Sequence, residues 1–172
     1  MQIECHGNES GRRYRFRVVA PAYPAFNIYS RVAARTTALG PVCVATAAAM
    51  TERWDVEVID ENNYRRYGPR DSKGMPDHKT LQRMRPADVL GLYGGLTSTI
   101  PRLYEVAREY KAMGVVTVAG GQHFMDENIA EALNSGIDVV VLNEGEEVIR
   151  DVLAAIATGT DKANISGIAY FK

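Results

Sequence analysis

The chain has 172 residues, 46% of them hydrophobic and 24% charged, the balance of one globular domain with a proper core. A formal net charge of −1 gives no electrostatic footprint for nucleic acid, and no stretch approaches the roughly 18 apolar residues of a membrane span. Residues 1–17 are polar and charged without the apolar block of a signal peptide, so a cytoplasmic protein with no nucleic-acid or membrane partner is expected, its cysteines Cys5 and Cys43 free thiols.

After a polar leader (1–14), YRFRVVA at Tyr14–Ala20 reads as a first strand, closed by Pro21 and Pro24, which cannot donate to an interior ladder. A loop longer than ordinary α/β connections follows, carrying Tyr23, Phe26, Asn27, Tyr29, Arg31 and Arg35. Leu39, Val42, Cys43, Thr46, Ala49 and Met50 then fall at helical spacing. WDVEVID at Trp54–Asp60 alternates like a second strand, and residues 61–79 read as a loop in which Arg65, Arg66, Arg70, Lys73, His78 and Lys79 form a solvated charged stretch.

Residues 87–93 (ADVLGLY) make a third strand ending in Gly94 and Gly95. Behind it Ile100, Leu103, Tyr104 and Ala107 form the apolar stripe of a helix capped by Thr97 or Ser98. Residues 115–119 (VVTVA) are the fourth strand, followed by a helix with Ile129, Ala132 and Leu133 inward and Gly136 as its stop. The unbroken apolar run 139–142 is the fifth, typical of a strand buried on both faces. Ile149, Val152, Leu153 and Ile156 mark a last helix ending near Gly159, and 165–171 (ISGIAYF) supplies a short edge strand. The alternation predicts a three-layer, doubly wound, flavodoxin-like or Rossmann-like parallel sheet of about five strands. Because the pattern stops at Lys172, within or just after a strand, residues 15–172 are expected to be a domain cut from a longer protein.

Parallel strands share a carboxyl edge, and open α/β sheets bind ligands there. Two exits onto that edge have unusual chemistry: Gly120-Gly121-Gln122-His123 after the fourth strand and Asn143-Glu144-Gly145-Glu146-Glu147 after the fifth. A glycine pair admits a ligand close to the backbone, and Gly145 weakens a helix start whose acids alone suit the dipole. Thr97, Ser98 and Thr99 read either as caps or as hydroxyls facing a ligand. Asp60-Glu61-Asn62-Asn63 reads as a turn or as part of a site, and Tyr23, Phe26 and Tyr29 as loop packing or as the wall for a large flat ligand. There is no glycine-rich phosphate fingerprint, nucleophile elbow or histidine pair at metal-ligand spacing. The residues therefore point to a ligand-binding α/β domain with no catalytic residue and no metal site of its own.

In their order these pieces resemble the N-terminal cobalamin (vitamin B12)-binding domain of cobalamin-dependent radical S-adenosylmethionine enzymes. The matching residues are the Ala20-Pro21 exit with its long loop, Val58-Ile59-Asp60-Glu61-Asn62, the segment 92–99, Gly120-Gly121-Gln122-His123, and 138–147 (DVVVLNEGEE), with Gly167-Ile168-Ala169-Tyr170 at the end. The resemblance implies a cobalamin lying on the carboxyl edge with its nucleotide tail directed between the strands. On that model Thr97, Ser98 and Thr99 meet the tail or the corrin amides. Gly120 and Gly121 clear space for the nucleotide, Asn143, Glu144 and Gly145 line the same end, and Tyr23, Asn27, Asp60, Asn62 and His123 complete the set.

Asp60-x-Asn62 falls where cobalamin-dependent methyltransferases and mutases carry an Asp-x-His motif whose histidine binds cobalt from below, and Arg65 stands where that motif has glycine. An amide is a poor cobalt ligand, so base-off cobalamin without a histidine ligand is expected. The family's CxxxCxxC motif is missing from this chain, which by itself is not expected to be catalytic. A downstream radical domain of the parent chain, carrying the iron-sulfur cluster and S-adenosylmethionine, is the implied partner, and methyl transfer the implied chemistry. The alternative is a cofactor-free flavodoxin-like interaction or regulatory domain, which the missing histidine favours; a flavin at the same edge is a third reading.

Overall fold

The computed structural model describes residues 13–24, 36, 38–51, 53–64 and 68–171. Six strands form one sheet in the order β2-β1-β3-β4-β5-β6. They are β1 (Tyr14–Ala20), β2 (Trp54–Asp60), β3 (Val89–Tyr93), β4 (Val116–Gly120), β5 (Val139–Val141) and β6 (Ile168–Ala169). The first five are mutually parallel, and β6 runs antiparallel to β5. Strand order 2-1-3-4-5 is that of flavodoxin-like folds, whose switch point lies between β1 and β3. Among the described residues the α-helices are α1 (Leu39–Ala49), α2 (His78–Met84), α3 (Ile100–Ala112), α4 (Asp126–Asn134) and α5 (Gly145–Thr158).

Period-two alternation divides the strands between two cores. Phe16, Val18, Val116, Val118, Val139 and Val141 face α1 and α5, packing against Ala45, Ala48, Ile149, Val152, Leu153 and Ile156. Val19, Leu90, Leu92, Ala119 and Val140 face the other helices, packing against Leu81, Leu103, Val106, Ala107, Tyr110 and Ala132. Because both faces are covered, β5 needs no polar alternation. The stripe on α5 is the one its sequence predicts, and the helix closes on Gly159 in the left-handed conformation (φ 66°).

Three local expectations are overturned. In α1 the positions that turn inward are Pro41, Ala45 and Ala48, while Leu39 and Met50 are 73% and 75% exposed and Thr46 and Ala49 face solvent. The sequence LGPVCVATAAA is apolar on every side, so periodicity cannot select a face; the small side chains let the helix lie close against β2 and α5. Residues 61–79 are not all loop: Asp77 accepts from the Thr80 N–H (2.9 Å) and hydroxyl (2.7 Å), capping α2, which turns His78 and Leu81 inward. His78 is 1% exposed rather than solvated, and a helix of seven residues is too short to announce itself by periodicity. Finally, residues Thr97–Thr99 form a 3-10 turn leading into α3. Its cap position is Thr99, whose hydroxyl bonds back to the Leu96 carbonyl (2.8 Å) rather than to the helix, with Pro101 in the first turn.

Candidate functional site

The strand exits meet in two adjoining clefts on the carboxyl edge. The larger, of about 830 Å³, descends between the sheet and helices α1 and α5. Its floor follows from strand register. Val18, Gly91, Val118 and Val139 form one row across β1, β3, β4 and β5, and Tyr93, Gly120 and Val141 form the next row toward the edge. Glycine in the middle of both rows leaves a trough where side chains otherwise stand. A Cβ on Gly91 would lie 2.7 Å from the Phe16 ring, whereas one on Gly120 meets only Val141 at an ordinary 3.4 Å and projects into the cleft.

Gly121 serves the backbone. Its φ of 119° is one that side-chain-bearing residues rarely adopt, and a Cβ there would stand 2.8 Å from the Gly94 carbonyl carbon and oxygen. That closeness lets Gly94 N–H donate to Gly120 O (2.8 Å) and His123 N–H donate to Gly94 O (2.9 Å), zipping the exits of β3 and β4 together. Gly145, the first residue of α5, has a packing reason besides its place in the lining, since a Cβ would stand 2.9 Å from Val44 of α1.

The second cleft, of about 340 Å³, lies over the ends of β1, β2 and β3, at the switch point. Here the Asp60–Asn62 segment is both turn and wall. Asp60 Oδ1 accepts from the Asn62 backbone N–H (2.9 Å) and side-chain amide (3.0 Å). The same amide donates to Pro21 O (3.3 Å), and Asn62 Oδ1 accepts the Tyr23 N–H (2.9 Å). Both amide hydrogens and the carbonyl oxygen of Asn62 are thus engaged by protein. Burial raises the Tyr23 phenol above its ordinary pKa, and the neighbouring Tyr93 and Asp60 add to the shift.

Of the predicted residues, Gly120, Gly121, Asn143, Glu144 and Gly145 line the first cleft and Tyr23, Asp60, Asn62 and Thr99 the second. Thr97, Ser98 and His123 belong to neither lining. Thr97 Oγ1 and His123 Nδ1 lie 3.4 Å apart, and the His123 ring stands edge-on to Phe124. Asn27 lies outside the described residues, as do Phe26, Tyr29, Arg65 and Cys5; Cys43 is a free thiol.

Sequence reasoning quoted Tyr93 and Gln122 within the strand exits without assigning them to the site, yet both line both clefts. The Tyr93 ring forms the partition. It is seated where a Cβ on Gly40 would come within 2.8 Å of the ring and one on Gly95 within 2.4 Å. The signal was an aromatic residue immediately before a glycine pair, read only as a strand end. Glu61, between Asp60 and Asn62, turns away from the clefts into the protein. Burial works to raise its carboxyl, but hydrogen bonds and charge from His78 and Arg102 outweigh that and hold it at about 2. Among the described residues no group of three His, Cys, Asp or Glu side chains could hold a metal ion, and no helix is long and apolar enough to cross a membrane.

A flavodoxin-like sheet with a glycine-floored cleft beside a second cleft at its switch point defines a small-molecule-binding α/β module. A family model described as the B12 binding domain matches residues 28–153, and the chain belongs to that family. Cobalamin is therefore the ligand to set against the clefts. No curated protein sequence matches the chain. Among solved structures, the chain is similar to the radical S-adenosylmethionine methyltransferase TsrM from Kitasatospora setae, solved with cobalamin and a 4Fe-4S cluster bound (TM-score 0.65, 22% identity, 93% of this chain and 29% of that one). It is similar to the cobalamin-dependent S-adenosylmethionine radical enzyme OxsB with aqua-cobalamin and S-adenosylmethionine bound (0.67, 15%, 94% and 21%). A cobalamin-binding protein from Desulfitobacterium hafniense also matches (0.55, 15%, 84% and 59%). At these identities the likeness shows the fold, and the chain spans under a third of the length of the first two enzymes.

Proposed function

We propose that residues 15–172 are the cobalamin-binding module of a cytoplasmic radical S-adenosylmethionine enzyme, holding base-off cobalamin with no histidine beneath the cobalt. The other part of the parent chain carries the iron-sulfur cluster and S-adenosylmethionine and draws on the cobalamin for methyl transfer. The observation that carries the lower-face reading is Asn62: both its amide hydrogens and its carbonyl oxygen are engaged by Asp60, Pro21 and Tyr23, which holds the side chain in the turn, and an amide is a poor cobalt ligand.

The residues fit such a ligand. The first cleft is apolar at depth, with Val18, Val118, Val141 and Ile149 around a floor that Gly91 and Gly120 leave open, and so suits an aromatic nucleotide base. The second, with Asp60, Asn62, Thr99 and Gln122 at its walls, suits the amide groups around a corrin. Cobalamin supplies a cobalt centre able to carry a methyl group; the protein's part is to orient it and shield its lower face.

The test is to load the chain with hydroxocobalamin, desalt it, reduce the bound cobalt to the divalent state and record its electron paramagnetic resonance spectrum. The expected result is retained cobalamin whose cobalt signal lacks nitrogen superhyperfine splitting, both in the wild type and in Asn62→Ala. Nitrogen splitting in the wild type refutes the histidine-off, base-off reading, and a colourless protein fraction refutes cobalamin binding by this chain.

A further inference from the structure

A chain of buried polar side chains runs from the second cleft into the core between the sheet and helices α2 and α3. Glu61 Oε2 accepts the Ala22 N–H (2.9 Å), and Arg102 donates to both carboxylate oxygens (3.0 Å from Nε to Oε2, 2.7 Å from Nη2 to Oε1). Glu61 Oε1 also lies 3.0 Å from His78 Nε2, and His78 Nδ1 lies 3.1 Å from the Tyr110 hydroxyl. Arg17 Nη1 donates to that hydroxyl (2.8 Å) and to Gln82 Oε1 (2.9 Å), while its Nε donates to Glu57 (2.7 Å). The side chains of Arg17, His78 and Glu61 are wholly buried.

Donor and acceptor roles follow in one direction. Arginine only donates, so the Tyr110 oxygen accepts from Arg17, and a Tyr110 O–H given to His78 Nδ1 puts an N–H of His78 on Nε2, directed at Glu61. The network is fully satisfied, yet buried ion pairs are weak contributors to net stability compared with packed apolar groups of the same volume. What it provides is placement. It ends on the backbone of Ala22 and on the residue between Asp60 and Asn62, and Asn62 in turn holds the Tyr23 N–H. The exit of β1 is thus tied to the exit of β2 through the Ala22 and Tyr23 N–H groups, beside the Glu61 N–H bond to Ala20 O (3.1 Å) and the Asn62 amide bond to Pro21 O, and the Ala22 bond is the one that ends on the buried chain.

We propose that Glu61, His78 and Tyr110 are positioning residues for the bound ligand, setting the β1 exit and the Asp60–Asn62 turn beneath it without lining either cleft. The inference rests on the cobalamin reading above and adds the residues that build its lower wall. Tyr110→Phe, which deletes one hydroxyl and keeps the shape, and Glu61→Gln are each expected to weaken cobalamin binding about fivefold, the effect of about one net hydrogen bond in placing the wall. Both should shift the visible spectrum of the bound corrin and speed hydrogen exchange at the Ala22 amide of the ligand-free protein.

Val106→Ala, an apolar truncation in the same core, serves as the control for general destabilisation. The measurements are cobalamin titration, visible spectra and amide exchange, made at a temperature where circular dichroism shows each variant folded. Lower unfolding midpoints with cobalamin affinity, spectrum and Ala22 exchange matching the control would overturn the proposal, because a merely structural network behaves that way. If the wild type retains no cobalamin, the functional reading falls separately. Exchange at Ala22 in the ligand-free variants then decides whether the chain holds the β1 exit.

Discussion

Gly120, the last residue of β4, and Gly121, the next residue, should respond in opposite ways to the same added methyl group. At Gly121, alanine must adopt a φ of 119° with its Cβ 2.8 Å from the Gly94 backbone. The conformation costs about 1–3 kcal/mol. Relief of the clash moves backbone atoms that carry the Gly94-to-Gly120 and His123-to-Gly94 hydrogen bonds, each worth about 1 kcal/mol net. A loss of about 3 kcal/mol is expected. Gly114→Ala isolates the conformational part, since its φ is 79° and nothing lies within 4 Å of a Cβ there; it should cost about 1 kcal/mol. Gly120→Ala meets only Val141 at 3.4 Å and should leave stability within about 0.5 kcal/mol of wild type while its methyl stands in the larger cleft and weakens cobalamin retention.

Urea unfolding followed by fluorescence of the single tryptophan, the buried Trp54, reads the stabilities, and absorbance after desalting reads retention. Equal stability of Gly121→Ala and Gly114→Ala would refute the argument that the β3 and β4 exits are closed around Gly121. Unchanged retention in Gly120→Ala would refute the placement of the ligand over the glycine floor.

Two further outcomes follow from the interior. Glu61 is held at about 2 in the folded chain against an ordinary 4.5, so the folded state binds fewer protons than the unfolded one as pH falls. About 3 kcal/mol of stability present above pH 4.5 is lost as pH drops from there toward 2; urea midpoints at pH 6 and pH 3 should converge in Glu61→Gln relative to wild type, and an unaltered pH slope would show that the Arg102 and His78 contacts do not hold the carboxylate. Leu153 on α5 is fully buried among the residues facing β1, β4 and β5, so Leu153→Ala should cost about 2–5 kcal/mol; a loss under 1 kcal/mol would mean that α5 is not packed as described.

Local pattern was enough to locate most elements. Tyr14–Ala20 and Trp54–Asp60 are strands over the very residues their alternation marks, and Ile149, Val152, Leu153 and Ile156 form the inward stripe of α5, because side-chain period and a glycine stop are properties of neighbouring residues. The glycines at positions 120 and 121 and the Asp60–Asn62 turn were likewise legible as parts of one carboxyl edge, where both clefts open, since parallel strands place their exits together. What the linear pattern did not carry depends on partners far along the chain. His78 reads as a solvated residue until Glu61 and Tyr110, 17 and 32 residues away, enclose it. Arg17 is buried because Tyr110, 93 residues on, Glu57 and Gln82 neutralise and bond its guanidinium. Tyr93 divides the clefts only because Gly40 and Gly95 leave room for its ring, and α1 hides its alanines rather than Leu39 and Met50 because close packing with β2 and α5 outweighs the burial of larger side chains. Sequence alone thus determined most of the elements, the order of the exits and the family resemblance. The tertiary structure decided which exits form a cleft, which polar groups are buried, and which glycine opens into the cleft rather than serving the backbone, since each of these is set by distances between segments that no local spacing encodes.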